Sequence, residues 1–412
     1  MRNTKLVTAL TGILSMTTPG FQSAQAGVVI TVNSVSDQPE NGLTTLREAI
    51  ETANQTSGNT INFDQNLFST PQTIVLEQGE LLISADTTIN GPGKDFLTID
   101  GNENSRLFRI DDDTDALIDV EINGVTLTRG NGSSPADTRS GGCILSIESL
   151  TLVDSVVTNC QSAGRAGGVF TRFGSLSLID SSVIENRSGN EGGGLYFREA
   201  VGEVVNSTIS NNSSNSEGGG IFISRNSDIS ISNSTISGNE GRTINERQGG
   251  GIFLQNSSSS LFLENATILN NTDNGIFLSQ SSLVNISNSI IANNTNGDCD
   301  FSNINSNSNN QNNMDTDGSC DVQATNHITI SDPMLEPLAD FGGNTLTHRP
   351  LLGSPLIDAG DDFLCTEFDQ RGELRPQDGD GNDSAVCDIG AVELSPNEQV
   401  PEEVIFINGF DN

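Results

Sequence analysis

The sequence predicts an all-β chain, a right-handed parallel β-helix of roughly ten coils closed at its N-terminal end by a short helix. Three observations carry this reading. A block of about 26 residues recurs through the middle of the chain. Inside each block aliphatic residues alternate with polar ones at a period of two, the mark of a strand with one buried face. Gly and Asn, 43 and 46 of 412 residues, fall at fixed places in the block where turns belong.

Composition narrows the alternatives. The chain carries 54 acidic against 18 basic side chains, a formal net charge of −36, with 33% hydrophobic residues, one Tyr and no Trp. Nucleic-acid binding needs a basic footprint, and beyond residue 26 the only Lys is Lys94. A helical bundle would need Ala, Leu, Glu and Lys at helical period, which are scarce. Disorder fits the charge but not the regular aliphatic positions.

The first 26 residues read as a removable leader. Arg2 and Lys5 precede an apolar run from Leu6 to about Phe21, and Ala24-Gln25-Ala26 offers small residues where a signal peptidase cuts. The run is too short and too interrupted to span a bilayer. Export by the Sec route is therefore expected, leaving a mature chain from Gly27 with charge −38, since the leader holds two basic and no acidic residues. Six Cys in an exported chain favour disulfides. They form three sequence-local pairs, Cys143/Cys160, Cys299/Cys320 and Cys365/Cys387. Spacing leaves the other connectivities open.

The repeat has two blocks. One reads D/N-S-x-aliphatic-x-x-N and begins at Asp154, Asp180, Asn206, Asn233, Asn265 and Asn288, in steps of 26, 26, 27, 32 and 23. Its last position is Cys160, Asn186, Asn212, Asn239, Asn271 and Asn294. The other is Gly-aliphatic-aromatic, with the third place taken by Ile144, Phe170, Tyr196, Phe222, Phe253 and Phe277. A unit this small buries its apolar face only by stacking on neighbours. Stacking puts like on like every ~4.8 Å, so the sequence predicts aromatic ladders through Phe170, Tyr196, Phe222, Phe253 and Phe277. It also predicts Asn ladders, written at Asn206, Asn233, Asn265 and Asn288. Gly-Gly marks turns that need positive φ, and right-handed winding follows from parallel crossovers.

Coils are expected over residues 70–331, with Ile74–Leu76, Leu81–Ile83, Phe96–Ile99 and Leu107–Ile110 as earlier strands. Ten coils make a rod of about 45–50 Å. Residues 27–69 form an N-terminal cap. There Thr45-Leu46-Arg47-Glu48 has capping-box spacing, and Leu46, Ala49, Ile50 and Ala53 follow at helical period. Residues 332–394 are expected to cap the other end, leaving a tail at 395–412.

Several segments resemble known families. Thr44 to Ile50, with Ala53-Asn54, resembles the CSLREA domain of secreted bacterial β-helix proteins, although Thr44 and Thr45 stand where that motif has Cys and Ser. Gly141-Gly142-Cys143-Ile144 and Ile209-Ser210-Asn211-Asn212 are similar to the GGxI and FxxN repeats of polymorphic outer-membrane proteins. The stretch from Asp332-Pro333 to Glu393 resembles the choice-of-anchor Q domain at Gly353-Ser354-Pro355, Ile357 to Gly360, Asp369 to Gly372, Arg375-Pro376 and Cys387 to Glu393. The ending Ile405 to Asp411 resembles short IFxxGF-acidic tails of proteobacterial secreted proteins and implies a sorting signal. These resemblances imply a pectate-lyase-like solenoid outside a Gram-negative cell or on its outer surface, and no settled activity.

Candidate chemistry is sparse. Asn271-Thr272-Asp273 is similar to the NTD element of polygalacturonases, but its Asp-Asp, Gly-His-Gly and Arg-x-Lys partners do not follow, and Asn271 already has a ladder place. A lyase would need a basic residue facing acidic calcium ligands. Arg165, Arg172, Arg187, Arg198 and Arg225 are offered, but counted along the repeat they do not coincide. His327 and His348 are isolated from any triad pattern. Asp378, Asp380 and Asn382, with Asp388, place oxygens as calcium loops do. The competing reading is an acidic turn held by Cys365–Cys387. Asn-x-Ser/Thr matches at Asn206 and Asn233 follow from the repeat. No convergent catalytic set emerges. The sequence thus points to a monomeric secreted or surface β-helix with a structural, adhesin-like or glycan-binding role. A polysaccharide lyase or glycoside hydrolase is the alternative. The partners expected are an extracellular glycan or cell-surface component, with calcium as the one candidate cofactor and no transmembrane segment in the mature chain.

Overall fold

The computed structural model describes residues 27–133, 140–241, 249–256 and 258–399. The leader at 1–26 and the tail beyond 399 lie outside the described residues. Among these residues, strands pair in parallel with their counterparts one coil on and assemble into sheets of 12, 11, 9 and 4 strands, here A, B, C and D. Each coil visits C, A and B in turn, as in Val169–Arg172, Ser175–Ile179 and Ser182–Ile184, and four coils add a two-residue strand in D. This is a parallel β-helix with a coil count close to ten. Equivalent positions pair, Leu150 with Leu176 and Leu152 with Leu178, so inward aliphatics form one continuous core along the axis. No helix among the described residues is long and apolar enough to cross a membrane.

The D/N-S-x-aliphatic-x-x-N block now has a physical account. Its first residue turns the corner between sheets A and B in the left-handed region, with φ of 43–50° from Asp154 to Asn288, a conformation Asn and Asp tolerate better than other side chains. The Ser that follows accepts a backbone N–H from the coil below: Ser155 N–H to Ser181 Oγ at 3.0 Å, Ser181 to Ser207 and Ser207 to Ser234 at 3.1 Å. The aliphatic residue enters the core. The last position is the amide ladder. Asn186, Asn212, Asn239, Asn271 and Asn294 each donate Nδ2–H to the next oxygen at 2.9–3.0 Å, ending on Asp298, and each also donates to a core backbone carbonyl. Buried amides are thereby satisfied on both ends.

That locates the side-chain ladder elsewhere than at Asn206, Asn233, Asn265 and Asn288, which occupy the corners. The amides of Asn233, Asn265 and Asn288 instead reach the C-terminal segment at Thr366, Asp388 and Asp361. Phe170, Tyr196, Phe222, Phe253 and Phe277 stack on the outside of sheet C with ring centroids 4.9–5.2 Å apart. The Gly runs beside them divide the work. Gly192, Gly218 and Gly249 take positive φ, while a Cβ on Gly193 would meet the Gly219 carbonyl oxygen at 2.1 Å.

At the N-terminal end, Val29–Val32 and Asn59–Phe63 already belong to sheet A, so coil pairing starts well before residue 70. The helix Leu46–Ala53 between them closes a capping box at Thr45 and Glu48 and buries Leu46, Ala49, Ile50 and Ala53 over the first coils. Arg47 fixes it, bonding both oxygens of Asp37 and the carbonyls of Gly79 and Glu80.

Residues 332–394 do not sit over the end of the coils. They run back along the outside of sheet B as a strap. Ala391 N–H bonds Thr267, Gln370 bonds Thr235 and Thr208, Thr345 bonds the Asn206 carbonyl, and Lys94 reaches the Asn344 carbonyl. Sheet B presents Leu269, Ile290, Ala292 and Met314 outward, and these pack with Leu356 and Ile389 of the strap into a second core. Burying that apolar file favours the lateral route. Disulfides join Cys143–Cys160, Cys299–Cys320 and Cys365–Cys387, the last inside the strap.

Candidate functional site

Sheet A is the face the strap leaves open. Its strands alternate, as in Ser175–Ile179, burying Leu176 and Leu178 while Ser175, Ser177 and Ile179 look outward. One outward file runs Thr151, Ser177, Glu203, Ser230, Phe262 and Asn285. The next includes Ser232, Glu264, Ser287 and Gln311. Over the later coils these files line an open cleft of about 400 Å³, walled at one side by Leu364 of the strap. Phe262 is 39% exposed in its floor. Around it stand the carboxylates of Glu203 and Glu264, the amides of Asn285, Asn309 and Gln311, and three Ser hydroxyls. Burial pushes the Glu264 carboxyl above its ordinary value. An apolar ring rimmed by donors and acceptors can hold a ligand with one apolar face and many hydroxyls. Phe262 is also where the outward file breaks its run of small and polar residues. That break is the signal in the sequence, and a reading of inward positions passes over it.

Other candidate residues have structural work. Carboxylate oxygens of Asp358, Asp378 and Asp380 lie within 4.8 Å of one another. Asp358 joins this set and Asp388 leaves it, for Asp388 is buried and accepts from the Asp358 and Leu394 N–H groups. The loop oxygens are engaged by backbone: Asp378 accepts from Gly381, Asn382 and Asp383, and Asp380 from Asn382. Asn382 turns its own amide to Asp380. Asn271 is consumed by the amide ladder, and Asp273 accepts from Asn296. His348 meets Ser237 Oγ at 2.8 Å, but its other nitrogen faces the Glu336 backbone carbonyl and the ring is buried between strap and sheet B, which lowers its pKa. It is a clasp with no access for substrate. His327 lies 3.1 Å from the buried Asp315.

The arginines need a correction. Arg172 and Arg198 are register partners on adjacent strands of sheet C. Each stands eight residues before the next D/N block, at Asp180 and Asn206, and two residues after its aromatic, Phe170 and Tyr196, so the coincidence can be counted in the repeat after all. The strap holds a second charged group that the sequence did not reveal as such. Arg375 and Glu393 pair at 2.9 Å with both side chains fully buried, and Arg371 bonds Asp369 and Glu398. The segments Asp369 to Gly372, Arg375-Pro376 and Cys387 to Glu393 are thus the internal framework of the strap.

Comparison with known proteins agrees with this geometry. Residues 188–332 match a family described as right-handed beta helix region. The crystal structure of pectate lyase Pel9A superposes with a TM-score of 0.58 at 15% sequence identity, covering 90% of this chain and 97% of that one. Comparison with curated protein sequences gives no match. The chain is a right-handed parallel β-helix of the pectate-lyase-like kind, a likeness of fold alone.

Proposed function

We propose that the protein works outside the cell as a secreted or surface-held β-helix that binds a glycan through the open face of sheet A. The cleft around Phe262 carries this reading, since the strap covers the neighbouring sheet B and leaves this ring exposed among hydrogen-bonding groups. Three disulfides and the leader pattern support an oxidising compartment. The similar structure, by its name, acts on pectate. The test is affinity electrophoresis of the mature chain through gels containing a panel of neutral and acidic polysaccharides. Retardation by at least one, relieved in Phe262→Ala, is expected. Equal mobility in every gel would reject the reading.

A second reading rests on Glu264, whose raised carboxyl shares the cleft with Glu203. Two carboxyls in different environments are the elements of glycoside hydrolysis. Release of reducing ends by the mature protein, abolished in Glu264→Gln, would move the assignment from binding to hydrolysis.

A further inference from the structure

A cationic corner stands out on this acidic chain. Arg172 and Arg198 project from adjacent coils of sheet C, and Arg225 follows on the coil after, where its carbonyl accepts the Glu199 N–H. The three guanidinium groups lie close enough to repel. Burial first, then the charges of Arg172 and Arg225, pull the Arg198 pKa down. Of the three, among the described residues, only Arg172 has a carboxylate partner, Glu199 at 3.1 Å. The Arg198 side chain makes no hydrogen bond or ion pair among the described residues, and its Nε is shielded from solvent without an acceptor. A shielded, unpaired donor is costly to maintain, and a second ligand-facing feature adjoins it. Phe173, at the corner between sheets C and A, is 52% exposed and adopts φ 69°, a left-handed backbone that a bulky side chain rarely takes. The Arg172 guanidinium lies 4.0 Å from its ring centroid.

We infer that Arg172, Arg198 and Arg225 form an anion-recognition site beside the Phe173 ring, and that its ligand is a polysaccharide bearing carboxylate or sulfate groups. The inference rests on the glycan reading and adds the ligand's charge. Guanidinium donors match carboxylate and sulfate oxygens two at a time, and an exposed ring beside them offers a platform for a sugar face. The file is short. Two coil spacings make ~10 Å, the scale of neighbouring substituents on one chain and well short of a nucleic-acid footprint. The remaining net charge of the protein is strongly negative, so binding depends on these groups locally and not on a general attraction.

The experiment is affinity electrophoresis of the mature full-length chain in alginate, dextran sulfate and neutral dextran at ~0.15 M salt, where the Debye length of ~8 Å screens distant carboxylates. Wild type is compared with the Arg198→Gln/Arg225→Gln double variant and with Arg225→Gln alone, an exposed change that keeps the test valid should the double variant misfold. Retardation of wild type by alginate or dextran sulfate, weakened tenfold or more in the double variant and several-fold in the single one, is expected; which gel retards it names the anion. Equal retardation of wild type and variants overturns the inference, and so does passage of wild type through both polyanion gels. If dextran alone retards the protein, the glycan reading stands and the anion site falls. If none of the three does and the wider neutral panel also fails, both fall.

Discussion

Sheets A and B are built from the same coils and end on different surfaces. On sheet B the middle strands bury every residue, inward and outward, as in Thr208–Ser210, Thr235–Ser237 and Thr267–Leu269. On sheet A the outward residues of the same coils stay partly or fully exposed, as in Val201–Val205 and Asp228–Ser232. The repeat dictates what faces the axis. What faces outward is free to differ, and here one face holds the strap while the other stays open. A solenoid face can be assigned a role only once its covering is known.

The largest effect is expected at the ion pair inside the strap. Glu393→Ala leaves Arg375 buried without its carboxylate, and the loss of a partner in such a pair costs about 3–5 kcal/mol. We expect the strap to become sensitive to protease while the coils keep their circular dichroism. Next come matched truncations on the two faces. Ile290→Ala empties a buried outward position beneath Gly390 and should cost about 2–5 kcal/mol in chemical denaturation. Phe262→Ala, outward on the open face, should change stability by no more than about 0.5 kcal/mol while abolishing glycan retention. Equal costs at the two sites would contradict the division of faces.

A smaller effect follows from pH. Burial, reinforced by the neighbouring Glu393 carboxylate, holds the Asp388 carboxyl well above its ordinary value. The folded strap therefore keeps this proton where the unfolded chain has released it. The stabilisation is complete below the unfolded value and is lost as pH rises through the folded one. Glu398 has the opposite sign. Burial raises it, but hydrogen bonding and charge from Arg371 outweigh that and leave it lowered, so its contribution is lost as pH falls through its folded value. Strap amides, corrected for intrinsic exchange, should be better protected in mild acid than at pH 8. Calcium is expected to do least. Backbone N–H groups already engage the oxygens of Asp378 and Asp380, so millimolar calcium should move the melting temperature by less than about 2 °C, the size ~1 kcal/mol gives in a large domain. A larger rise would establish an ion at Asp358, Asp378 and Asp380.

Much of the fold was legible because stacking repeats one decision many times. The period of two located the inward residues, the block length located the coils, and Thr45 with Glu48 located the helix. Sequence alone does not separate a left-handed corner from a buried amide, since both select Asn; the ladder expected at Asn206, Asn233, Asn265 and Asn288 therefore lies at the other Asn of the block, Asn271 among them. The strap's route was hidden for another reason. Its contacts join residues far apart in sequence, such as Thr345 with Asn206, and they use Thr and Ser side chains that read as ordinary polar surface. The candidate cleft was half visible: Phe262 broke a polar file, but nothing in the sequence said that sheet A would be left uncovered.

The division between a covered and an open face is tested most directly by hydroxyl-radical footprinting of the mature protein with and without a retained polysaccharide. Phe262 and the strands Ser260–Glu264 and Leu283–Ser287 should lose reactivity when the polysaccharide is bound, while Leu269, Ile290 and Met314 under the strap stay unreactive in both states. Protection appearing on the strap with sheet A unchanged would contradict it.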